Sequence, residues 1–196
     1  PMAGPAEACA DGAAAEWASA LIQGRRTVLP RRLGAPGPDA QQRQAILAAA
    51  GAAPDHGELL PWRFVIVPAE ARAALAGAFA DALLERDPAA TPEQQAQARE
   101  KAFRAPWLML AVADTAPGSS EIPPLERLVS AGCAIQNLLL MATALGFGSA
   151  LTSGKALKSD TLRACFGLGA SEKALCVVSV GTVRSRLSRA RAQFAD

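Results

Sequence analysis

Histidine is almost absent from this 196-residue chain: His56 is the only one. A multi-histidine metal site is thereby excluded, and a Ser-His-Asp triad would have to be built around that single ring. No GxSxG segment supplies a nucleophile for it, and Asp55 beside it in sequence is not placed like an orienting carboxylate. Cysteine is sparse and scattered. Cys9, Cys133, Cys165 and Cys176 form no CxxC pair and no Cys/His cluster, which argues against structural zinc and a disulfide framework. Cys133, Cys165 and Cys176 sit among apolar neighbours and read as small buried hydrophobes; a reducing cytoplasm is the expected home. Neither sign of charge prevails. A net charge of +2 is too small and too dispersed to imply nucleic acid. The one concentrated basic run, Arg184, Arg186, Arg189 and Arg191, reads equally as a solvated tail or an anion contact.

The first dozen residues lack the basic and apolar regions of a signal peptide; Met2 behind Pro1 reads as an original start with one added residue ahead of it. Residues 128–145 make the only long apolar run. Gln136 and Asn137 stand near its middle, with Ser130 and Thr143 towards its ends, so it reads as a helix buried on nearly every side rather than a membrane span. A domain of this size rarely wraps one helix completely, so a partner subunit is expected on the remaining face.

Apolar periodicity and punctuation lay out the rest. Residues 14–24 predict a helix with Trp17, Ala20 and Leu21 on one face and Gly24 as stop signal. Residues 25–29 are extended, and residues 34–38 form a turn-rich connector. A helix capped by Asp39 follows, anchored by Ile46 and Leu47 and ended by Gly51 and Pro54. Residues 62–67 (WRFVIV) predict an inner strand. A helix spans 69–86; Thr91 caps the next, with Pro92 at its first position. Residues 107–113 (WLMLAVA) are a second buried strand, and 116–124 a long loop. The long helix occupies about 125–145, with Gly146 as a left-handed stop. A strand at 147–151, a short helix capped by Ser159 or Asp160 and a strand at 174–181 complete the chain. Helices between the strands, and no GxGxxG after any strand, point away from a Rossmann fold and to an α+β sandwich with one central sheet and helices on both faces.

Three segments carry the functional signal. Arg25-Arg26-Thr27 offers guanidinium forks and a hydroxyl, a set suited to gripping a phosphate, though the triplet alone reads as well as a solvated charge pair. Residues 54–64 combine a Pro-Asp-His loop with Pro61-Trp62. Residues 130–154 join the apolar helix to Phe147-Gly148-Ser149-Ala150-Leu151-Thr152-Ser153-Gly154, where glycines permit close backbone approach.

In this order, over residues 21–186, the chain resembles the nitroreductase family of flavoproteins, and in particular its small single-domain bacterial members. The resemblance implies a three-layer α-β-α sandwich with a central, mostly antiparallel sheet. It also implies one FMN-binding domain over 14–187, between a flexible segment at 1–13 and a basic tail at 188–196. It implies FMN as cofactor, held by Arg25, Arg26, Thr27, Leu151, Thr152 and Ser153, with His56 close to the flavin and Trp62 as scaffold. Relatives often carry Arg where this chain has Ala52, and several carry Trp-Arg where it has Leu151-Thr152. Arg186, or failing it Arg184, is the expected replacement cation near the phosphate. No side chain is expected to be catalytic in its own right and no metal is expected, because the flavin carries the chemistry. The implied activity is ping-pong electron transfer from NADH or NADPH to a nitroaromatic, quinone or similar small acceptor. The implied assembly is a homodimer with flavin at the subunit interface, without nucleic-acid or membrane partners. Two competing expectations are a flavin-binding carrier or sensor with little turnover and a helical interaction protein that has lost the cofactor.

Overall fold

The computed structural model of the chain describes residues 12–116 and 121–184. The expected tail at 188–196 and residues 1–11 of the expected N-terminal segment lie outside the described residues, as do positions 117–120 of the expected loop.

Five strands form one antiparallel sheet: β1 (Leu33–Gly34), β2 (Trp62–Ile66), β3 (Trp107–Asp114), β4 (Gly148–Thr152) and β5 (Glu172–Val183). Its hub is β5, which pairs with β3 from Glu172 to Val180, with β4 from Val177 to Gly181, and with β1 at Thr182 and Val183. The two-residue strand β1, at the start of what reads as the turn-rich connector, lies below the length that an alternating pattern can reveal. The run WRFVIV is not an inner strand. Strand β2 pairs only with β3 and lies at the sheet's edge, with Ile66 exposed; an apolar β-branched run does not distinguish edge from centre.

Alternation along β3 sends successive side chains to opposite faces and divides the core in two. On one face Trp107, Met109 and Ala111 pack under α2 (Ala40–Gly51) and α5 (Pro124–Ala144). On the other, Leu108, Leu110 and Val112 pack under α3 (Arg72–Arg86) and α4 (Pro92–Glu100), with Leu162 of α6 (Asp160–Cys165). The result is the three-layer sandwich with a central antiparallel sheet that the sequence predicts.

Local chemistry sets the helix ends. Asp39 and Gln42 form a reciprocal capping box at the start of α2, and Thr91 and Gln94 do the same for α4, each worth about 1 kcal/mol. Ser159 caps α6, and Gly146 adopts φ +84° beyond α5. Buried Arg72, at the first turn of α3, donates to the carbonyls of Val67, Ala102, Ala105 and Pro106 at 2.7–3.3 Å. Burial lowers its pKa, and it has no carboxylate partner among the described residues.

Two expectations about burial fail. Helix α1 (Gly12–Gly24) buries no residue, and Trp17 is 78 % exposed. Helix α5 has the length and composition to cross a membrane, but it lies on the sheet, with Ser130, Ala134, Ile135, Leu138 and Ala142 buried. It is not enclosed on nearly every side: Leu125 and Val129 on its outer stripe are 71 % and 60 % exposed. Of the three cysteines among the described residues, only Cys176 is buried; Cys133 is half-buried and Cys165 exposed, since apolar sequence neighbours do not fix which way a side chain faces.

Strands β2 and β5 are also joined through side chains. Arg63 grips Glu172 with two hydrogen bonds, 2.6 and 2.9 Å. The hydrogen bond from Arg63, helped by the Gly169 amide, lowers the Glu172 carboxyl from 4.5 to about 2. A carboxyl more acidic in the folded chain stabilises fully above its unfolded value, and that contribution drains as pH falls from 4.5 towards 2. Melting temperatures followed from pH 6 to pH 2 are expected to drop more steeply for the wild type than for Glu172→Gln, the two curves converging at the acid end.

Candidate functional site

The chain leaves α1 and runs beside β4. Thr27 bridges Ser149 in parallel register, and the Val28 amide donates to the Ser149 carbonyl at 2.9 Å. Arg25-Arg26-Thr27 is thereby brought to the strand that leads directly into Leu151, Thr152 and Ser153. Arg26 folds back to donate to the carbonyls of Gln23 and Arg25, which satisfies the open end of α1. The Arg25 side chain has no hydrogen-bond or ion-pair partner among the described residues. Between these segments the Ser149 hydroxyl is buried and has no hydrogen-bond partner, an unusual state for a buried polar group.

Past β4 opens a cavity of about 440 Å³, within the range of cofactor pockets. One wall is Thr152, Ser153, Gly154, Lys155 and Pro30; the floor includes Leu108, Val177 and Ser179 of the sheet; the far wall is α3 and α4. The Thr152 hydroxyl reaches the Val177 carbonyl only at 3.4 Å, and Leu151 is exposed at the strand's end.

Sequence reasoning missed the charge of this cavity. Arg86, Lys101, Arg104 and Lys155 line it, against the single carboxylate of Asp87. Lys101 is less basic than usual, first because of burial and then because Arg104 and Arg86 repel its proton. The Arg104 Nε is buried without a partner, and its guanidinium meets Glu100 only at 3.5 Å. These cations come from positions 86 to 155, and only the three-residue spacing of Lys101 and Arg104 hints that two of them share a face.

Of the expected site residues only Thr152 and Ser153 line this cavity; Arg25, Arg26, Thr27 and Leu151 are not among its lining residues, and Ala52 and His56 lie elsewhere. Ala52 ends α2, on the opposite face of the sheet. His56 Nδ1 lies 2.8 Å from the Glu126 carboxylate at the start of α5, with both side chains exposed. Its loop is tightly wound: Gly57, Glu58 and Leu60 all have positive φ, and the Leu60 amide donates to Asp55 at 2.6 Å. Two non-glycine residues in this region mark backbone strain of the kind found at binding sites. Trp62, half-buried at the start of β2, packs against the α2–α5 core, consistent with scaffold. Arg186 lies outside the described residues. Among the described residues no group of three or more His, Cys, Asp or Glu could hold a metal ion.

An unneutralised cation cluster costs stability until an anion enters it. Lys101→Gln is expected to raise the melting temperature at pH 7 by roughly 1–3 °C. Because the folded Lys101 titrates below its ordinary 10.5, the gain should fade as pH rises towards that value, and a stability series from pH 7 to 11 measures it.

Comparison with known proteins bears on the family and the fold. A Haemophilus influenzae protein is 35 % identical over 159 residues, covering 81 % of this chain and 85 % of the relative. Escherichia coli YdjA is 33 % identical over 170 residues, covering 86 % and 89 %. Both carry the name "Putative NAD(P)H nitroreductase". Among solved structures, a nitroreductase-like protein from Bacillus cereus superposes with TM-score 0.72 at 20 % identity, covering 85 % of this chain and 86 % of that one. The FMN-dependent nitroreductase NfnB from Mycobacterium smegmatis, solved with NADPH, superposes with TM-score 0.67 at 23 % identity, covering 87 % and 89 %; these two likenesses concern the fold. The Nitroreductase family model matches residues 22–182, and the chain belongs to the nitroreductase family.

Proposed function

We propose that the protein is an FMN-dependent oxidoreductase that takes electrons from NADH or NADPH and passes them to a small acceptor such as a nitroaromatic or a quinone. The observation that carries this reading is the cation-lined 440 Å³ cavity that Thr152 and Ser153 line at the end of β4, the strand that Thr27 bridges at Ser149, in a chain of this family. The residues fit the cofactor. Arg86, Lys101, Arg104 and Lys155 outweigh Asp87 in this cavity and suit an anionic ligand. The orphaned Ser149 hydroxyl and Arg104 Nε are polar groups that lack a partner.

FMN, when bound, supplies hydride and electron transfer. The chain's own part is binding and electrostatics. Arg25 and Thr27 are assigned to the phosphate, and Thr152 and Ser153 to the ribityl and ring edge. Lys101 and Arg104 impose a positive potential that favours negative charge in the cavity. The pairing of His56 with Glu126 orients one ring nitrogen and leaves the other free to donate or accept a hydrogen bond. No covalent role is assigned to any side chain.

One copy lacks part of the site, because Ala52 and His56 lie away from the cavity. We assign the missing wall to a second copy. Trp17, Leu60, Leu125 and Val129 are large apolar side chains left exposed, and a self-complementary dimer would bury them. Val129→Glu is expected to give monomers by analytical ultracentrifugation and to lose FMN affinity with them; a wild type monomeric at micromolar concentration would remove the shared-site reading.

The visible spectrum of the protein, desalted after incubation with FMN, tests the cofactor. A retained flavin band, with affinity lowered about tenfold or more in Arg25→Ala, is the expected result. Retention with no NAD(P)H oxidation in the presence of a nitroaromatic would favour the carrier reading, in which Ala52 and Leu151-Thr152 have changed the pocket. A protein that holds no flavin after reconstitution would overturn both.

A further inference from the structure

The first cavity extends well past the residues expected to hold the flavin, since only Thr152 and Ser153 of that set line it. The rest of its wall is graded from apolar to cationic. On α3, Phe79, Leu83 and Arg86 follow one another at intervals of four and three residues, which puts them on one stripe of the helix. Ala98 of α4 and Lys101, which opens the turn after it, are likewise three residues apart. In each case the apolar member, Phe79 or Ala98, is buried and the cation beyond it is exposed. Lys155, also exposed, stands on the other wall, two residues after Ser153. Leu108 and Val177, both buried, make the floor.

Three of the cations belong to this cavity alone. Arg104 also lines a second cavity of about 360 Å³, where the crossover from residue 30 to residue 36 meets the start of β3, whereas Arg86, Lys101 and Lys155 do not. None of these three has a hydrogen-bond or ion-pair partner among the described residues, and Asp87 is the one carboxylate among the described residues of the wall. Arg86 lies close enough to Lys101 to disfavour its proton. The flavin phosphate is assigned to Arg25 and Thr27, which are not part of this wall, so it leaves the charge of the three cations unanswered.

An apolar floor with cations at its open end fits a flat aromatic body that carries an anionic group. We propose that the α3–α4 half of this cavity receives the electron acceptor, and that Arg86, Lys101 and Lys155 select aromatic acceptors bearing a carboxylate over uncharged ones. This assignment deepens the flavin reading of the same cavity and rests on it. For a nitroarene the exchange is balanced by the nicotinamide. The nitro group loses one oxygen as water and becomes nitroso; NADH or NADPH is oxidised by loss of a hydride; one proton is taken up from solvent. The carboxylate is unchanged throughout, and its attraction to the cations serves to hold the ring. Because the three cations are exposed, solvent and salt screen them, and their effect is about tenfold rather than absolute.

The FMN-loaded protein tests this with 4-nitrobenzoate and 4-nitrobenzamide, which are close in shape and differ in charge. At low ionic strength kcat/KM should favour the carboxylate by about tenfold, and raising the salt to about 0.5 M should erase most of that ratio. Benzoate and benzamide carry no nitro group and give a readout apart from turnover. In isothermal titration of the oxidised, loaded protein, benzoate should bind about tenfold more tightly. The double variant Arg86→Glu, Lys155→Glu alters two exposed side chains and leaves the core untouched; it should bring both ratios to one or below. Lys158 and Lys173 are exposed and lie outside the cavity, so Lys158→Glu with Lys173→Glu makes the same change in net charge and should preserve both ratios. Wild-type ratios near one overturn the proposal. Equal loss in the Lys158, Lys173 pair also overturns it, since the preference would then follow net charge alone. So does a cavity variant that changes kcat/KM for NADH or NADPH while the acceptor ratio stands, because the cations would then serve the dinucleotide. Failure of the flavin reading shows itself separately, as an absent flavin band, and takes this assignment with it.

Discussion

A single buried guanidinium holds the geometry of the site. Arg72 sits where β2 gives way to the helical excursion and reaches the carbonyls at its far end, at Ala102, Ala105 and Pro106, as well as Val67 at its start. Hydrogen bonds from a charged donor are worth about 1.5–3 kcal/mol each, and here they close the loop made by α3 and α4. That loop contributes Arg86, Lys101 and Arg104 to the first cavity and Glu100, Phe103 and Arg104 to the second. Lysine could not replace Arg72: a point charge with three donors cannot serve four carbonyls spread across a plane, and it would shed its proton when buried. Arginine keeps its charge there despite the burial that lowers its pKa.

The sheet then decides what one chain can do alone. Strand β5 pairs with three others, and β3, buried along almost its whole length, separates two cores. Segments near one another in sequence logic are thus divided in space. The cation-lined cavity belongs to the α3–α4 face, while Ala52 and His56 belong to the α2–α5 side. The same side leaves α1 and the outer stripe of α5 without cover. Incomplete site and uncovered apolar surface are two consequences of one layer arrangement, and a second copy addresses both.

What was legible in the sequence was local or carried by family pattern. Asp39, Thr91, Ser159 and Gly146 do what their positions predict, because a cap is decided within one turn of helix. The juxtaposition of Arg25-Arg26-Thr27 with Leu151-Thr152-Ser153 followed from the resemblance alone, since more than a hundred residues separate them in sequence. The illegible features are all long-range. Strand β1 finds its partners at Val183 and Thr182. Arg63, inside a run that reads only as an apolar strand, meets Glu172 across the sheet. Arg72 lies in a helix where an arginine normally reads as solvated, and only the returning chain supplies its four acceptors.

Net charge misled in the same way. The whole chain carries only +2, which says nothing of concentrated potential. Yet Arg31, Arg86, Lys101, Arg104, Lys155 and Arg184 line the two cavities against Asp87 and Glu100 alone, so the remainder of the chain carries a slight negative excess. Segregation of charge, not its sum, makes an anion site. Arg104 is half-buried and the other five are exposed, so solvent and salt screen much of their mutual repulsion. Arg104 lies in both walls and couples the cavities: an anion drawn to one side lowers the repulsion that the other must balance. An anion entering such a cluster relieves that repulsion, so that what is a cost to the fold becomes affinity for a charged ligand.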